Sequence, residues 1–204
     1  MKKLLLLFLV LNTTTVFAQK TGYFEKSLSF NSESRTVSYY VPSNYNSSKQ
    51  YHLIVGLHGI GDNSAHYVDL LTEKGYQNLF EYTIIICPDG GDDYFGDFYT
   101  PAGDEHFIDT CIEDAITNYS INVDHIILQG FSLGGRAALK YGLDNTNKFS
   151  ALLLNTPGLQ GALDATQNSK ITLGYSYQNA SKIPIYLTIG LLDRFYVNVE
   201  GILY

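Results

Sequence analysis

Short apolar runs return along this chain with helix-like stretches between them, and that alternation limits the folds open to it. The runs are Tyr51–Leu57, Tyr82–Cys87, His125–Gln129, Phe149–Leu154 and Ile183–Ile189. The first is apolar nearly throughout, as expected of a strand covered on both faces. Helices are predicted between them at Ala65–Lys74, Asp104–Tyr119 and Leu133–Tyr141. In the last of these, Leu133, Ala137, Ala138 and Tyr141 fall on one face. Strand–helix–strand alternation requires right-handed crossovers and a mostly parallel sheet with helices on both of its faces. Two strands, Leu28–Phe30 and Thr36–Val41, come first and read as an antiparallel pair turning at Asn31–Ser34. No repeat, linker or low-complexity segment interrupts residues 19–204, so a single α/β domain accounts for them.

Composition supports a packed domain: 45% of residues are hydrophobic and only 16% charged, which excludes general disorder. Residues 1–18 read as a signal peptide, with Lys2 and Lys3, the apolar stretch Leu4–Leu11, and Val16-Phe17-Ala18 as the cleavage site. That stretch is too short to span a bilayer. The chain is therefore expected to be secreted or periplasmic, without a membrane partner. Loss of the two lysines takes the formal charge from −7 to −9, and an acidic surface argues against nucleic acid as a partner. An exported chain permits a disulfide between Cys87 and Cys111; burial of two free thiols is the other reading. The 17 tyrosines suit half-buried strands, with a tyrosine-lined substrate cleft as the alternative.

The run His125–Gln129 leads directly into Gly130-Phe131-Ser132-Leu133-Gly134-Gly135, and a helix follows. A G-x-S-x-G turn between a strand and a helix is so tight that side chains two before or two after the serine would clash. Gly130 and Gly134 remove those clashes and lift Ser132 above the carboxyl end of the sheet. The helix starting at Leu133 points its amide dipoles at the site. A serine hydroxyl still requires a base, a group to orient that base, and donors for an oxyanion.

Three motifs in this order, "GLHGIGDN" at 56–63, "GFSLGG" at 130–135 and "IGLLDRF" at 189–195, resemble the α/β-hydrolases. The chain is most similar to secreted bacterial esterases of the feruloyl esterase, acetyl-xylan esterase, polyhydroxybutyrate depolymerase and esterase D type. The resemblance runs from about Ser27 to the end. It implies Ser132 as nucleophile, backbone N–H groups of Ile60 and Leu133 as oxyanion donors, and Asp193 as the acid. His58 resembles the family's structural histidine, which with Gly59 braces the oxyanion loop. The substrate implied is a small-molecule or polysaccharide-linked ester, and no cofactor or metal is needed.

One part of the pattern is missing. In this family the histidine follows the acid, yet His52, His58, His66, His106 and His125 all precede Asp193. The chain ends at Tyr204 without the family's last strand, histidine loop and closing helix, so it is expected to be a C-terminally truncated piece. Rescue by His66 or His106 is the minor alternative. Asp89, Asp92, Asp93, Asp97, Asp104 and Glu105 crowd one segment; their spacing fits no EF-hand loop, and a solvated loop reading competes with calcium binding. No G-x-G-x-x-G after a strand, Walker sequence, C-x-x-C or H-E-x-x-H is present. An exported carboxylic-ester hydrolase results, with a prolyl oligopeptidase-like peptidase and an inactive hydrolase-fold binding protein as alternatives. Oligomeric state is not legible in the sequence. The coding sequence beyond codon 204 is expected to carry a histidine roughly 30 to 45 codons on, read by sequencing that stretch.

Overall fold

The computed structural model describes residues 19–73, 81–91, 98–99, 103–158 and 174–190. Seven strands form one sheet: β1 (Gly22–Phe30), β2 (Glu33–Val41), β3 (Tyr51–Leu57), β4 (Thr83–Pro88), β5 (Ile121–Phe131), β6 (Ala151–Asn155) and β7 (Ile185–Thr188). Their order is β1-β2-β4-β3-β5-β6-β7. The first two pairings, β1 with β2 and β2 with β4, are antiparallel; β4, β3, β5, β6 and β7 run parallel. Among the described residues three α-helices cross over the parallel part: α1 (Ser64–Leu71), α2 (Phe107–Asn118) and α3 (Leu133–Asp144).

Strand parity assigns these helices to faces. On β4, Ile84 and Ile86 join the large core with Leu53, Val55, Leu128, α2 and α3. The intervening Ile85 and Cys87 pack instead with Tyr67 and Val68 of α1. Helices therefore cover both faces, α1 on one and α2 with α3 on the other, as the alternation of runs required.

The opening hairpin is longer than the sequence suggested. Strand β1 starts at Gly22, because Phe24, Lys26, Leu28 and Phe30 alternate inward along its whole length. Lys26 hid that alternation. It is tolerated on the inner side because its ammonium meets Asp114 at 2.5 Å. The turn is also tighter than Asn31–Ser34: Phe30 pairs directly with Glu33, leaving Asn31 and Ser32 as a two-residue loop, both at positive φ (49° and 67°). Two left-handed residues match the right-handed twist of the strands they join, as in a type I′ hairpin. Strand β5 likewise begins at Ile121 rather than His125; Ile121 is buried, but Asn122 to His125 are half-exposed or exposed, so no apolar run marks that stretch.

Cys87 and Cys111 are both buried and free. They belong to different packing clusters, Cys87 with α1 and Cys111 with the core beneath α2. That separation by sheet face decides between the two readings in favour of free thiols. Burial pushes both thiols up, with Arg35 partly opposing the effect at Cys111, so neither is a ready nucleophile. The tyrosines are largely structural: Tyr39, Tyr51, Tyr67 and Tyr141 lie in the interior. Among the described residues no helix is long and apolar enough to cross a membrane.

Burial also raises the phenols of Tyr39, Tyr67, Tyr99 and Tyr141 well above their ordinary value, and Tyr119 to about 12. A phenol raised on folding contributes stability that is fully present below the unfolded value near 10 and is lost as pH rises through the folded one. Urea midpoints are therefore expected to hold steady up to about pH 10 and to fall steeply above it. Phenolate absorbance of these groups should appear only with unfolding. A full set of tyrosines titrating near pH 10 in the folded chain would contradict this burial.

Candidate active site

Strand β5 ends at Phe131 and α3 begins at Leu133, which leaves one residue to reverse the chain. That residue, Ser132, sits at φ 52°, ψ −113°, a conformation that costs a non-glycine residue about 1–3 kcal/mol. The neighbouring strand end holds it there. Ser132 N–H donates to the Asn155 carbonyl (3.1 Å), and the Ser132 carbonyl accepts from Gly158 N–H (2.8 Å) and Arg136 N–H (3.0 Å).

The flanking glycines are sterically required. A Cβ on Gly130 would lie 2.2 Å from the Gly134 carbonyl oxygen, and one on Gly134 would lie 2.1 Å from the Leu57 oxygen and 2.4 Å from that of His58. Contacts that short do not exist between real atoms, so α3 can pass over the end of β3 only with glycine at both places. This crossing brings the two motifs together. A Cβ on Gly59 would be 3.5 Å from Ser132 Cβ and 3.1 Å from the Phe131 ring.

His58 is 1% exposed and both of its ring nitrogens are committed to backbone. Gly90 N–H donates to Nε2 (3.1 Å), so the proton is on Nδ1, which donates to the Gly59 carbonyl (2.9 Å). Asp62 N–H reaches the same carbonyl at 3.2 Å. A trans peptide is planar with C=O and N–H pointing opposite ways. Holding the Gly59 oxygen from one side therefore fixes the direction of Ile60 N–H on the other. Leu133 N–H, the other donor expected from the sequence, belongs to the first turn of α3, where amides have no acceptor within the helix. Two apolar side chains flank this corner in solvent, Ile60 at 39% and Phe131 at 45% exposure.

Asp193 lies outside the described residues, as do Asp92, Asp93 and Asp97. The strand that precedes Asp193 in sequence is β7. β7 pairs with β6 (Asn155↔Thr188), and Thr156 N–H donates to the Thr188 carbonyl at 2.7 Å. Its carboxyl end thus stands two strands from Ser132, roughly 10 Å at the usual strand spacing.

Each of the five histidines has its own partner, and none of those partners is Ser132. His52 and His125 stack on each other with their Nδ1 atoms 3.0 Å apart. His52 stands near the start of β3 and His125 beside it midway along β5, both away from the serine turn. His66 Nδ1 meets Asp62 at 2.7 Å and lines a hollow with Tyr23, Phe24 and Ser38 of the first hairpin, on the far side of β3 and β4. His106 is exposed beside Glu105 at 3.6 Å.

The carboxylates proposed as a calcium loop are in part occupied otherwise. Asp89 accepts from Ser64 N–H at the start of α1 (2.6 Å), and Asp104 pairs with Arg35 (2.5 Å). Among the described residues no cluster of three or more His, Cys, Asp or Glu side chains could hold a metal ion. Sequence reasoning did not find the supporting roles of Asp89, Gly90 and Arg35. The only local signal was Pro88-Asp89-Gly90, a turn after a buried strand.

The Esterase family model matches residues 27–201. "Probable feruloyl esterase C" of Aspergillus niger is 25% identical over 162 residues, covering 78% of this chain and 59% of that protein. The chain thus spans about three fifths of the length of the curated relatives it matches. Among solved structures, S-formylglutathione hydrolase (FrmB) from Staphylococcus aureus superposes with a TM-score of 0.65 at 15% identity, covering 89% of this chain and 84% of the other. A ferulic acid esterase superposes with a TM-score of 0.59 at 19% identity, covering 69% and 60%. These likenesses in structure establish the α/β-hydrolase fold.

The steric argument sets an order among glycine substitutions. Gly130→Ala and Gly134→Ala should each cost more than the roughly 1–3 kcal/mol of ordinary overpacking, because the new methyl would stand 2.2 Å and 2.1 Å from backbone oxygens that cannot give way. Gly135→Ala, whose Cβ would find Pro157 at 3.0 Å, should cost less than either. Urea unfolding of the three variants checks this order, and equal losses would refute it.

Proposed function

The chain belongs to the Esterase family, and from that premise we propose that the whole protein is an exported serine hydrolase of carboxylic esters. The observation that carries the proposal is Ser132, held at positive φ between β5 and α3 with Gly59 packed against it. Ser132 Oγ attacks the ester carbonyl, and the N–H groups of Ile60 and Leu133 receive the developing oxyanion. The alcohol leaves, water then attacks the acyl-enzyme, and Ser132 is regenerated. A histidine downstream of Tyr204 takes and returns the proton, oriented by Asp193. The substrate class is a small-molecule or polysaccharide-linked ester, in keeping with the feruloyl and ferulic acid esterases that the chain resembles. The apolar residues 4–11 and the cleavage site at Ala18 support export.

A second reading, a hydrolase fold that binds without catalysis, is favoured by one observation. All five histidines are engaged away from Ser132.

Fluorophosphonate labelling of the full-length gene product separates the two. Labelling and ester turnover are expected, with Ser132→Ala reducing kcat on the order of 10⁶-fold. Asp193→Asn should reduce kcat roughly 10⁴-fold. Residues 19–204 expressed alone should label no faster than the Ser132→Ala protein, since nucleophile and base act as a unit. A folded full-length protein that neither labels nor turns over esters would leave the binding reading standing.

A further inference from the structure

Arg35 lies on β2, two strands removed from β3 and its serine-side loop, yet its guanidinium is tightly placed. Nη1 meets the Asp104 carboxylate at 2.5 Å and Nη2 donates to the Asp89 carbonyl at 2.8 Å. The cation also lies 4.4 Å from the Phe107 ring centre and 5.5 Å from that of Phe30. A planar fork gripped on both prongs and packed on aromatic faces has little freedom left.

What Arg35 grips is one side of the Asp89–Gly90 peptide. The other side of that peptide, Gly90 N–H, donates to His58 Nε2. The next residue of β2 contributes too, since Asp89 N–H donates to the Thr36 carbonyl at 3.0 Å. From there the path runs through the His58 ring to the Gly59 carbonyl, and across a second planar peptide to Ile60 N–H. Two rigid peptides and one imidazole stand in series, each fixing the direction of the next.

We propose that Arg35 is a positioning residue for the oxyanion site. Through the Asp89–Gly90 peptide it holds His58 with its proton on Nδ1, and so aims Ile60 N–H at the reacting carbonyl. Its catalytic consequence rests on the esterase reading above; its effect on the His58 ring does not. Loss of the guanidinium frees the Asp89 carbonyl, lets the Gly90 peptide rotate, and removes the donor that reserves Nε2 as an acceptor. The Ile60 amide then samples directions away from Ser132, which weakens stabilisation of the transition state more than binding of the substrate.

Nitrogen-15 NMR of the His58 imidazole in the full-length protein reads the first link directly. The wild-type His58 ring should show a protonated Nδ1 and a bare Nε2. Arg35→Gln should give a mixture of tautomers, and Arg35→Lys should do the same in part, because a single ammonium cannot hold Asp104 and the Asp89 carbonyl together. Asp104→Asn, which keeps the guanidinium but loosens its anchor, supplies a gentler variant if Arg35→Gln does not fold. In the full-length protein Arg35→Gln should lower kcat roughly tenfold or more with KM changed less than about twofold. A wild-type His58 protonated on Nε2 overturns the proposal, as does a folded Arg35→Gln or Asp104→Asn protein with an unaltered ring. If wild type hydrolyses no ester while the variants still shift the tautomer, the esterase reading fails and the relay stands.

Discussion

The serine turn depends on a tight approach between the first turn of α3 and the end of β3. Only a missing side chain at Gly134 allows the helix to lie against the Leu57 and His58 carbonyls. From that contact follow the abrupt end of β5, the positive φ of Ser132, and the meeting of two loops far apart in sequence. Strain at Ser132 persists because the adjacent strand end over-determines it, with Asn155 and Gly158 holding both of its peptide groups. The conformation of Ser132 is thus a property of three strand ends acting together.

The support around the site is built from backbone more than from side chains. His58 spends both nitrogens on peptide groups, and Asp89 uses its N–H, its carbonyl and its carboxylate on Thr36, Arg35 and Ser64. This places the antiparallel hairpin in the service of the parallel sheet. Strand β2 carries Arg35 and Thr36, whose partners lie in the loop after β4, and that loop in turn sets the one after β3. Hydrogen bonds in series from a well-packed arginine thus reach the Gly59 peptide, and under the proposed esterase function they supply the rigidity that an oxyanion donor requires.

The sequence was informative where a local rule governs. The parallel core was visible because strands covered on both faces must be apolar throughout, and the serine turn was visible because its glycines answer a steric demand within five residues. The limits of β1 were not visible, since inward Lys26 breaks the alternation and only Asp114, 88 residues on, explains it. The cysteine pairing was equally hidden. Cys87 and Cys111 both read as buried, but facing depends on strand parity and on which helix covers which side.

The sequence by itself determined that this chain forms a mostly parallel α/β sheet and that Ser132 stands at a strand–helix turn. Those facts depend on side-chain periodicity and on clashes between near neighbours. The tertiary structure alone decided that the Gly59 loop touches Ser132, that both thiols stay free, that the five histidines are engaged elsewhere, and that Arg35 reaches the site through Asp89, Gly90 and His58. The reason is physical: each depends on contacts across strands whose order in the sheet differs from their order in the chain, and no local pattern encodes that order.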